Sequence, residues 1–85
     1  MKTVIKRTIG RLLKKKRIEL QLSQERMAEK CCISLRQYSD IENCLRIPNL
    51  ENFFKIVIVC EWNIGDLILA LLKNGYEVND DNNAA

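Results

Sequence analysis

The chain has 85 residues, which is enough for one small domain and too few for two. Its 47% apolar content, with only three Gly and one Pro, is typical of a compact helical domain and excludes a disordered or disulfide-stapled chain. The longest apolar runs fall far short of the roughly 20 residues that a membrane span requires, and the charged N-terminal segment is unlike a signal peptide. We therefore expect a cytoplasmic protein without a membrane partner.

Charge is distributed unevenly along the chain. Residues 1–30 contain ten Lys or Arg against three Glu, whereas residues 61–85 contain one Lys against five acidic residues. A basic surface of this kind favours an anionic partner, of which nucleic acid is the natural candidate, although a solvated helix face has the same composition. Charge alone leaves both interpretations open.

The spacing of the cysteines and the lack of histidine argue against a metal site and against a catalytic site. Cys31, Cys32, Cys44 and Cys60 lack the paired spacing of a zinc site, and the chain has no His. The usual general base is therefore absent, and neither a carboxylate pair nor a Gly-rich phosphate loop is present. We predict free thiols, no metal, no cofactor and no catalytic residue, so that the protein is not an enzyme.

The spacing of apolar residues predicts five helices. Pro48 closes the connection before the fourth of them, and Phe53, Phe54 and Val57 form the core face of that helix. Polar N-cap residues precede four of the helices, at Thr8, Ser23, Ser34 and Asn63. The first four helices cover about 8–20, 24–31, 35–43 and 50–59, and the fifth follows Asn63 and runs to Lys73.

This pattern indicates an all-α fold, a compact five-helix bundle over residues 8–75. A basic N-terminal arm over residues 1–7 precedes it, as either a minor-groove arm or a packing strand, and a polar, disordered tail over residues 76–85 follows it. On the third helix, at about 100° per residue, inward Tyr38 and Ile41 turn a polar set outward. The outward residues are Arg36, Asp40 and Asn43, with Ser39 beside them and Glu42 at the edge of the buried face.

Two short helices joined by a tight turn are the arrangement of a helix-turn-helix DNA reader. The series of residues makes the comparison specific: L-S-Q-E at 22–25, M-A-E-K at 27–30, I-S at 33–34, I-E-N at 41–43, then Arg46, Pro48, L-E at 50–51 and K-I at 55–56. The sequence thereby resembles the phage-repressor (Cro/repressor-type) helix-turn-helix family over roughly residues 9–68. The resemblance implies a repressor-like bundle and a transcriptional regulator that binds double-stranded DNA.

The same resemblance implies which residues read bases from the start of the third helix. Arg36 suits guanine O6 and N7 in the major groove, or a solvated pair with Asp40. Leu35 fits contact with a thymine methyl group and equally fits packing across the turn, while Asp40 accepts from a cytosine amino group or holds Arg36 in position. The implied base-reading residues are Leu35, Arg36, Gln37, Ser39 and Asp40.

Further residues match the family's DNA-backbone and structural positions. The resemblance implies phosphate binding by Gln24, Asn43 and Arg46, whose alternatives are a plain surface helix former at the first position and helix-end capping and solvation at the other two. It also implies a largely buried ion pair between Arg17 and Glu42.

The chain departs from the family pattern at two turns. Cys32 and Cys44 stand where the family usually has Gly, because the backbone there often needs positive φ. Either these turns tolerate a side chain, or oxidation of one of the thiols distorts the reading helix and releases DNA.

The C-terminal segment is too apolar for a lone monomer. The fifth helix adds Leu69 and Ala70 to an inward set formed by Ile64, Leu67, Ile68, Leu71 and Leu72, so it is apolar nearly all round. We predict a homodimer, unless residues 1–7 fold back over this surface through Val4 and Ile5. The predicted dimer interface consists of Ile58, Trp62, Ile68, Leu69 and Leu72.

A dimer implies two reading helices and a near-palindromic operator. The family's stand-alone members include phage repressors, restriction-modification controller proteins and antitoxins, and no small-molecule effector is expected. The alternative is an antitoxin-type interaction module whose apolar last helix binds a partner protein.

Overall fold

The computed structural model describes residues 2–77, which form five helices and no strand within that range. The helices are α1 (Lys2–Glu19), α2 (Gln24–Cys31), α3 (Leu35–Glu42), α4 (Leu50–Cys60) and α5 (Ile64–Lys73). The prediction of an all-α, five-helix domain is confirmed, and α2, α3 and α4 begin at the predicted residues. Most of the predicted tail lies outside the described residues.

The N-terminal arm is the largest correction. α1 begins at Lys2, so residues 2–7 extend the helix and form neither a free arm nor a strand. The extension is stable because Ile5 continues the apolar face of Ile9 and packs against the core. Thr8 is not a cap: it is buried within the helix, and its hydroxyl accepts a hydrogen bond of 3.1 Å from the Asn74 side chain.

The helix starts follow the capping residues. Ser23, Ser34 and Asn63 each accept a hydrogen bond from the backbone N–H three residues later, as predicted. Asn49, directly after the buried Pro48, caps α4 in the same way.

The core lies where α1, α2, α3 and α4 meet. Its fully buried side chains are Leu13, Met27, Cys31, Tyr38, Ile41, Ile56 and Cys60. The predicted core face of α4 is only partly correct: Phe53 is half-buried and packs against the core, but Val57 is only half-buried and Phe54 is exposed. The buried residues of the helix are Asn52, Ile56 and Cys60. Aromatic residues are apolar enough to suggest a core face, but the positions nearest α1 and α2 decide which face is buried.

α5 packs against α1 along a narrow edge. Of the predicted inward set, Leu67 is the buried residue, Leu71 is half-buried, and Ile64, Ile68 and Leu72 are about half exposed. The error has a physical reason: an apolar helix at the margin of a small domain finds too little neighbouring surface to cover a wide face.

Both cysteine turns have the backbone conformation that the family pattern predicted. Cys32 has φ 57° and Cys44 has φ 65°, so the backbone of each residue lies in the left-handed region that Gly usually occupies. Near the second turn α1 approaches α3 closely at Gly10. A Cβ atom there would lie 2.7 Å from the Ile41 carbonyl oxygen and 3.0 Å from that of Glu42, so Gly10 allows the two backbones to touch.

Candidate nucleic-acid interface

Arg36 lies at the start of α3, on the surface predicted to enter the major groove. The helix begins after the Ser34 cap, whose hydroxyl accepts the backbone N–H of Gln37 at 3.2 Å. Arg36 is exposed, and its guanidinium makes no hydrogen bond or ion pair with any residue in the range 2–77. Gln37 beside it is half-exposed, so both side chains are available to a ligand.

Leu35 divides its surface between the protein and solvent. Its side chain is 45% exposed. It also lines a shallow hollow of about 180 Å³ with Glu25, Ala28, Glu29 and Ile33. The two interpretations of Leu35 are therefore compatible, because one side packs across the turn while the other faces outward.

Asp40 pairs with Arg46 rather than with Arg36. The Arg46 Nη2 atom lies 3.6 Å from Asp40 Oδ2, and both side chains keep part of their surface in water. The sequence suggestion that Asp40 holds Arg36 in position is therefore wrong. The Arg46 side chain extends from the loop after α3 back to Asp40. Helical spacing alone does not reveal this second cation. Exposed pairs of this kind contribute at most about 1 kcal/mol, so an incoming phosphate can compete for Arg46.

Glu42 is the centre of a buried polar cluster. Arg17 donates to it through Nε at 2.7 Å and through Nη2 at 3.1 Å. Tyr38 donates its hydroxyl to Glu42 at 2.8 Å, and the Gln24 amide nitrogen donates at 2.6 Å. Arg17 also donates to the carbonyl oxygen of Leu22, which ties α1 to the start of the helix-turn-helix. The predicted Arg17 and Glu42 partners therefore meet in a two-point contact that three helices share.

The protonation of this cluster follows from its contacts. Burial would raise the pKa of Glu42, but hydrogen bonds from Arg17, Gln24 and Tyr38 outweigh that effect and hold the pKa below its usual value. The hydrogen bond to Glu42 raises the pKa of Arg17, and burial together with the same carboxylate raises the pKa of Tyr38. Glu42 is therefore ionised, and Tyr38 keeps its proton, at neutral pH.

Ser39 and Gln24 face each other across the two helices. The Ser39 hydroxyl donates to Gln24 Oε1 at 3.2 Å and accepts from Asn43 Nδ2 at 3.3 Å. Both polar ends of the Gln24 amide are thus used inside the domain, and Ser39 is directed at α2 rather than outward with Arg36. Asn43 caps the end of α3 and is exposed.

Two contacts of this region lay outside the sequence reasoning. Tyr38 was assigned only to the core, although its spacing of four residues from Glu42 places the hydroxyl within reach of the carboxylate. Lys55 of α4 donates to the carbonyl oxygen of Cys32 at 3.2 Å and so supports the left-handed turn. No signal in the sequence indicates that second contact.

The exposed side of α1 is basic. Arg7, Arg11, Lys14 and Lys15 are all exposed on this helix. Within residues 2–77, no group of three or more Cys, Asp or Glu side chains is arranged to hold a metal ion. No helix in the same range has the length and apolar character that crossing a bilayer requires.

The comparison with known families now identifies the class. A family model described as Helix-turn-helix matches residues 13–61, more than half of the chain, and covers the whole of α2, α3 and α4. The chain belongs to this phage-repressor (Cro/repressor-type) helix-turn-helix family, and its domain is that of a DNA-binding regulator. No curated protein and no solved structure matches the chain.

Proposed function

We propose that the protein is a sequence-specific transcriptional regulator that binds a near-palindromic operator as a homodimer, with α3 in the major groove. The observation that carries this proposal is Arg36, an exposed guanidinium without a partner among residues 2–77, at the start of a capped helix. That helix is fixed from behind by the Glu42 cluster, so the side chain is presented on a rigid support.

The proposed roles differ between the predicted residues. Arg36 reads guanine, Gln37 and the outward side of Leu35 contact neighbouring bases, and Asp40 lies one turn further along the helix. Arg46 and Asn43 bind phosphates, which orients the protein without reading sequence. Because the Gln24 side chain is engaged within the domain, its phosphate contact is proposed through the backbone N–H groups that begin α2.

Dimerisation is supported by the apolar surface of α4 and α5. Ile58 is 73% exposed and Leu69 is 60% exposed, and exposed apolar groups of this size are a liability on a monomer. Trp62 is half-buried against the core, so it contributes only its outer side. The N-terminal residues leave most of this surface open, because Val4 and Ile5 only border hollows beside α5, and Ile64 and Ile68 stay about half exposed.

The alternative function is an antitoxin-type module whose α5 binds a different protein. It uses the same apolar surface, so the oligomeric state separates the two. A purified chain with twice the mass of the monomer favours the homodimer, whereas a monomer that aggregates without its partner favours the module.

The experiment that tests the proposal is selection of bound sequences from a random duplex pool at physiological salt, with Arg36→Ala beside the wild type. We expect an inverted repeat with a guanine preference that relaxes in Arg36→Ala. The matched control is Arg11→Ala, which removes an exposed cation from α1 and should leave the base preference unchanged. The salt concentration must be controlled, because basic proteins bind any DNA sequence at low salt.

Two outcomes would contradict the proposal. If the wild type recovers no motif, or if Arg36→Ala and Arg11→Ala behave alike, α3 does not read bases. The apolar surface and a protein partner would then be the function to pursue.

A further inference from the structure

A continuous chain of hydrogen bonds runs from the buried Glu42 carboxylate to the surface at Asn43. Gln24 donates to Glu42, Ser39 donates to Gln24, and Asn43 donates to Ser39, over distances of 2.6, 3.2 and 3.3 Å. Every member donates toward the core. All three hydrogen bonds therefore point the same way, and the group that sets this direction lies at the buried end.

Glu42 sets that direction because an ionised carboxylate can only accept hydrogen bonds. Its two oxygens already accept from Arg17 twice, from Tyr38 and from Gln24, which uses the roughly four lone-pair sites that a carboxylate offers. The Gln24 amide must therefore present its NH2 group to Glu42. The Gln24 carbonyl oxygen is then the atom that faces Ser39.

Ser39 transmits the direction with its single proton. That proton is donated to the Gln24 oxygen, so the Ser39 oxygen can only accept from Asn43. If the Asn43 amide were reversed, two oxygens would face each other without a proton between them. Asn43 must consequently present its NH2 group, and one hydrogen of that group remains for another acceptor.

The position of Asn43 makes this orientation important. It caps the C-terminal end of α3, where the negative end of the helix dipole disfavours an anion. A phosphate can be held there only by donors, and Arg46 in the adjacent loop supplies a positive charge. An outward carbonyl of Asn43 would add to the repulsion, whereas an outward N–H offsets it.

We propose that Ser39 is a positioning residue, which fixes the Asn43 amide as a hydrogen-bond donor to a DNA phosphate and does not itself read bases. The inference rests on the proposed function and deepens it. It assigns the polar surface at the end of α3 to the DNA backbone, and it leaves base reading to the residues at the start of that helix.

The experiment measures affinity for the selected operator and for copies of it that each contain one neutral methylphosphonate. Ser39→Ala, Asn43→Ala, the double variant and Ser39→Thr, which keeps the hydroxyl, are compared with the wild type. We expect each alanine variant to weaken binding about three- to tenfold, the double variant to be no weaker than Asn43→Ala, and Ser39→Thr to bind like the wild type.

Two further readouts separate positioning from a merely structural role. One methylphosphonate should weaken wild-type binding and have no effect on Asn43→Ala, and the base preference of Ser39→Ala should equal that of the wild type. If Ser39→Ala fails to fold, Asn43→Asp tests the same polarity, since it replaces the donor by an acceptor and should bind more weakly than Asn43→Ala.

Several results would overturn the proposal. Additive losses in the double variant, a changed base preference in Ser39→Ala, or equal binding by Asn43→Asp and Asn43→Ala would each show that Ser39 does not act through an oriented Asn43. Each of these results refutes the proposal only if the wild type binds its operator. A wild type that binds no duplex specifically would instead refute the proposed function and remove the basis of this inference with it.

Discussion

The helix-turn-helix region and the C-terminal region differ in whether their side chains find partners within one chain. Around Glu42, three helices share one carboxylate, and no buried side-chain nitrogen or oxygen in residues 2–77 lacks a hydrogen-bond partner. In α4 and α5 the exposed surface is apolar, and six large side chains are half exposed or more: Leu50, Phe54, Ile58, Ile68, Leu69 and Leu72. The first region is complete within one chain, whereas the second presents a surface that a further copy can cover.

The sharpest way to break the first region is to remove its central charge. Glu42→Ala strands the Arg17 guanidinium and leaves the Tyr38 hydroxyl and the Gln24 amide without an acceptor. We expect a loss of about 3–5 kcal/mol in the free energy of unfolding, which is enough to unfold many small domains. Thermal melting measures it, with Glu29→Ala on the exposed side of α2 as the control. An unchanged melting temperature would contradict the structural role of the cluster.

A charge introduced into the second region should weaken dimerisation and leave the fold of each chain intact. Leu69→Lys places an ammonium group in the proposed dimer contact, and we expect dimerisation to weaken at least about 100-fold, or about 3 kcal/mol. The matched control is Ile18→Lys, because Ile18 is 57% exposed on α1, outside α4 and α5. Sedimentation velocity over a concentration series compares them. Equal dissociation in the two variants would argue against an interface on α5.

Acid should weaken the first region through Glu42. Because its folded pKa lies below the ordinary value of 4.5, the carboxylate contributes its full stabilisation above that pH. The contribution is lost as the pH falls from about 4.5 through the folded pKa. Urea unfolding at several pH values between 7 and 3 measures the loss, which should be shallower in Glu42→Gln. Parallel profiles for the two proteins would assign the acid sensitivity to other carboxylates.

The smallest expected effect concerns the strained turn of the helix-turn-helix. Cys32→Gly removes the side chain from a residue whose backbone is left-handed and should stabilise the domain by up to about 1 kcal/mol. Cys44→Gly should gain less, because the Cys44 side chain is half-buried and its Sγ lies 3.9 Å from the Arg7 carbonyl oxygen. Urea midpoints decide the order. A larger gain at Cys44 would show that its thiol contributes nothing to packing.

Local sequence signals predicted local structure well. The three Ser and Asn caps follow from side chains that accept backbone N–H groups, so they can be recognised without knowing the fold. The left-handed turns at Cys32 and Cys44 follow from the resemblance, which places Gly at those positions, and the left-handed residues Gln21 and Glu61 were not predicted. The pairing of Arg17 with Glu42 came from the resemblance, because 25 residues separate them and no local rule connects them.

The predictions that failed depended on tertiary neighbours. Phe54 is predicted to lie on the core face of α4, but the helix turns Asn52 and Ile56 inward instead. The extent of α1 was missed because Thr8 resembles a cap, and its actual partner is Asn74, 66 residues later in the chain. The route from Glu42 to Asn43 could not be predicted either, since it depends on the distance between two helices that the sequence does not specify.

Gly10 lets the backbone at the end of the recognition helix α3 lie directly against α1. The carbonyl oxygens of Ile41 and Glu42, at the end of α3, lie directly against α1 at Gly10, and the Cys44 thiol lies beside them. A single added methyl group at position 10 would act as a lever, because it would lift the end of α3 away from α1 and turn its DNA-facing residues to a new angle.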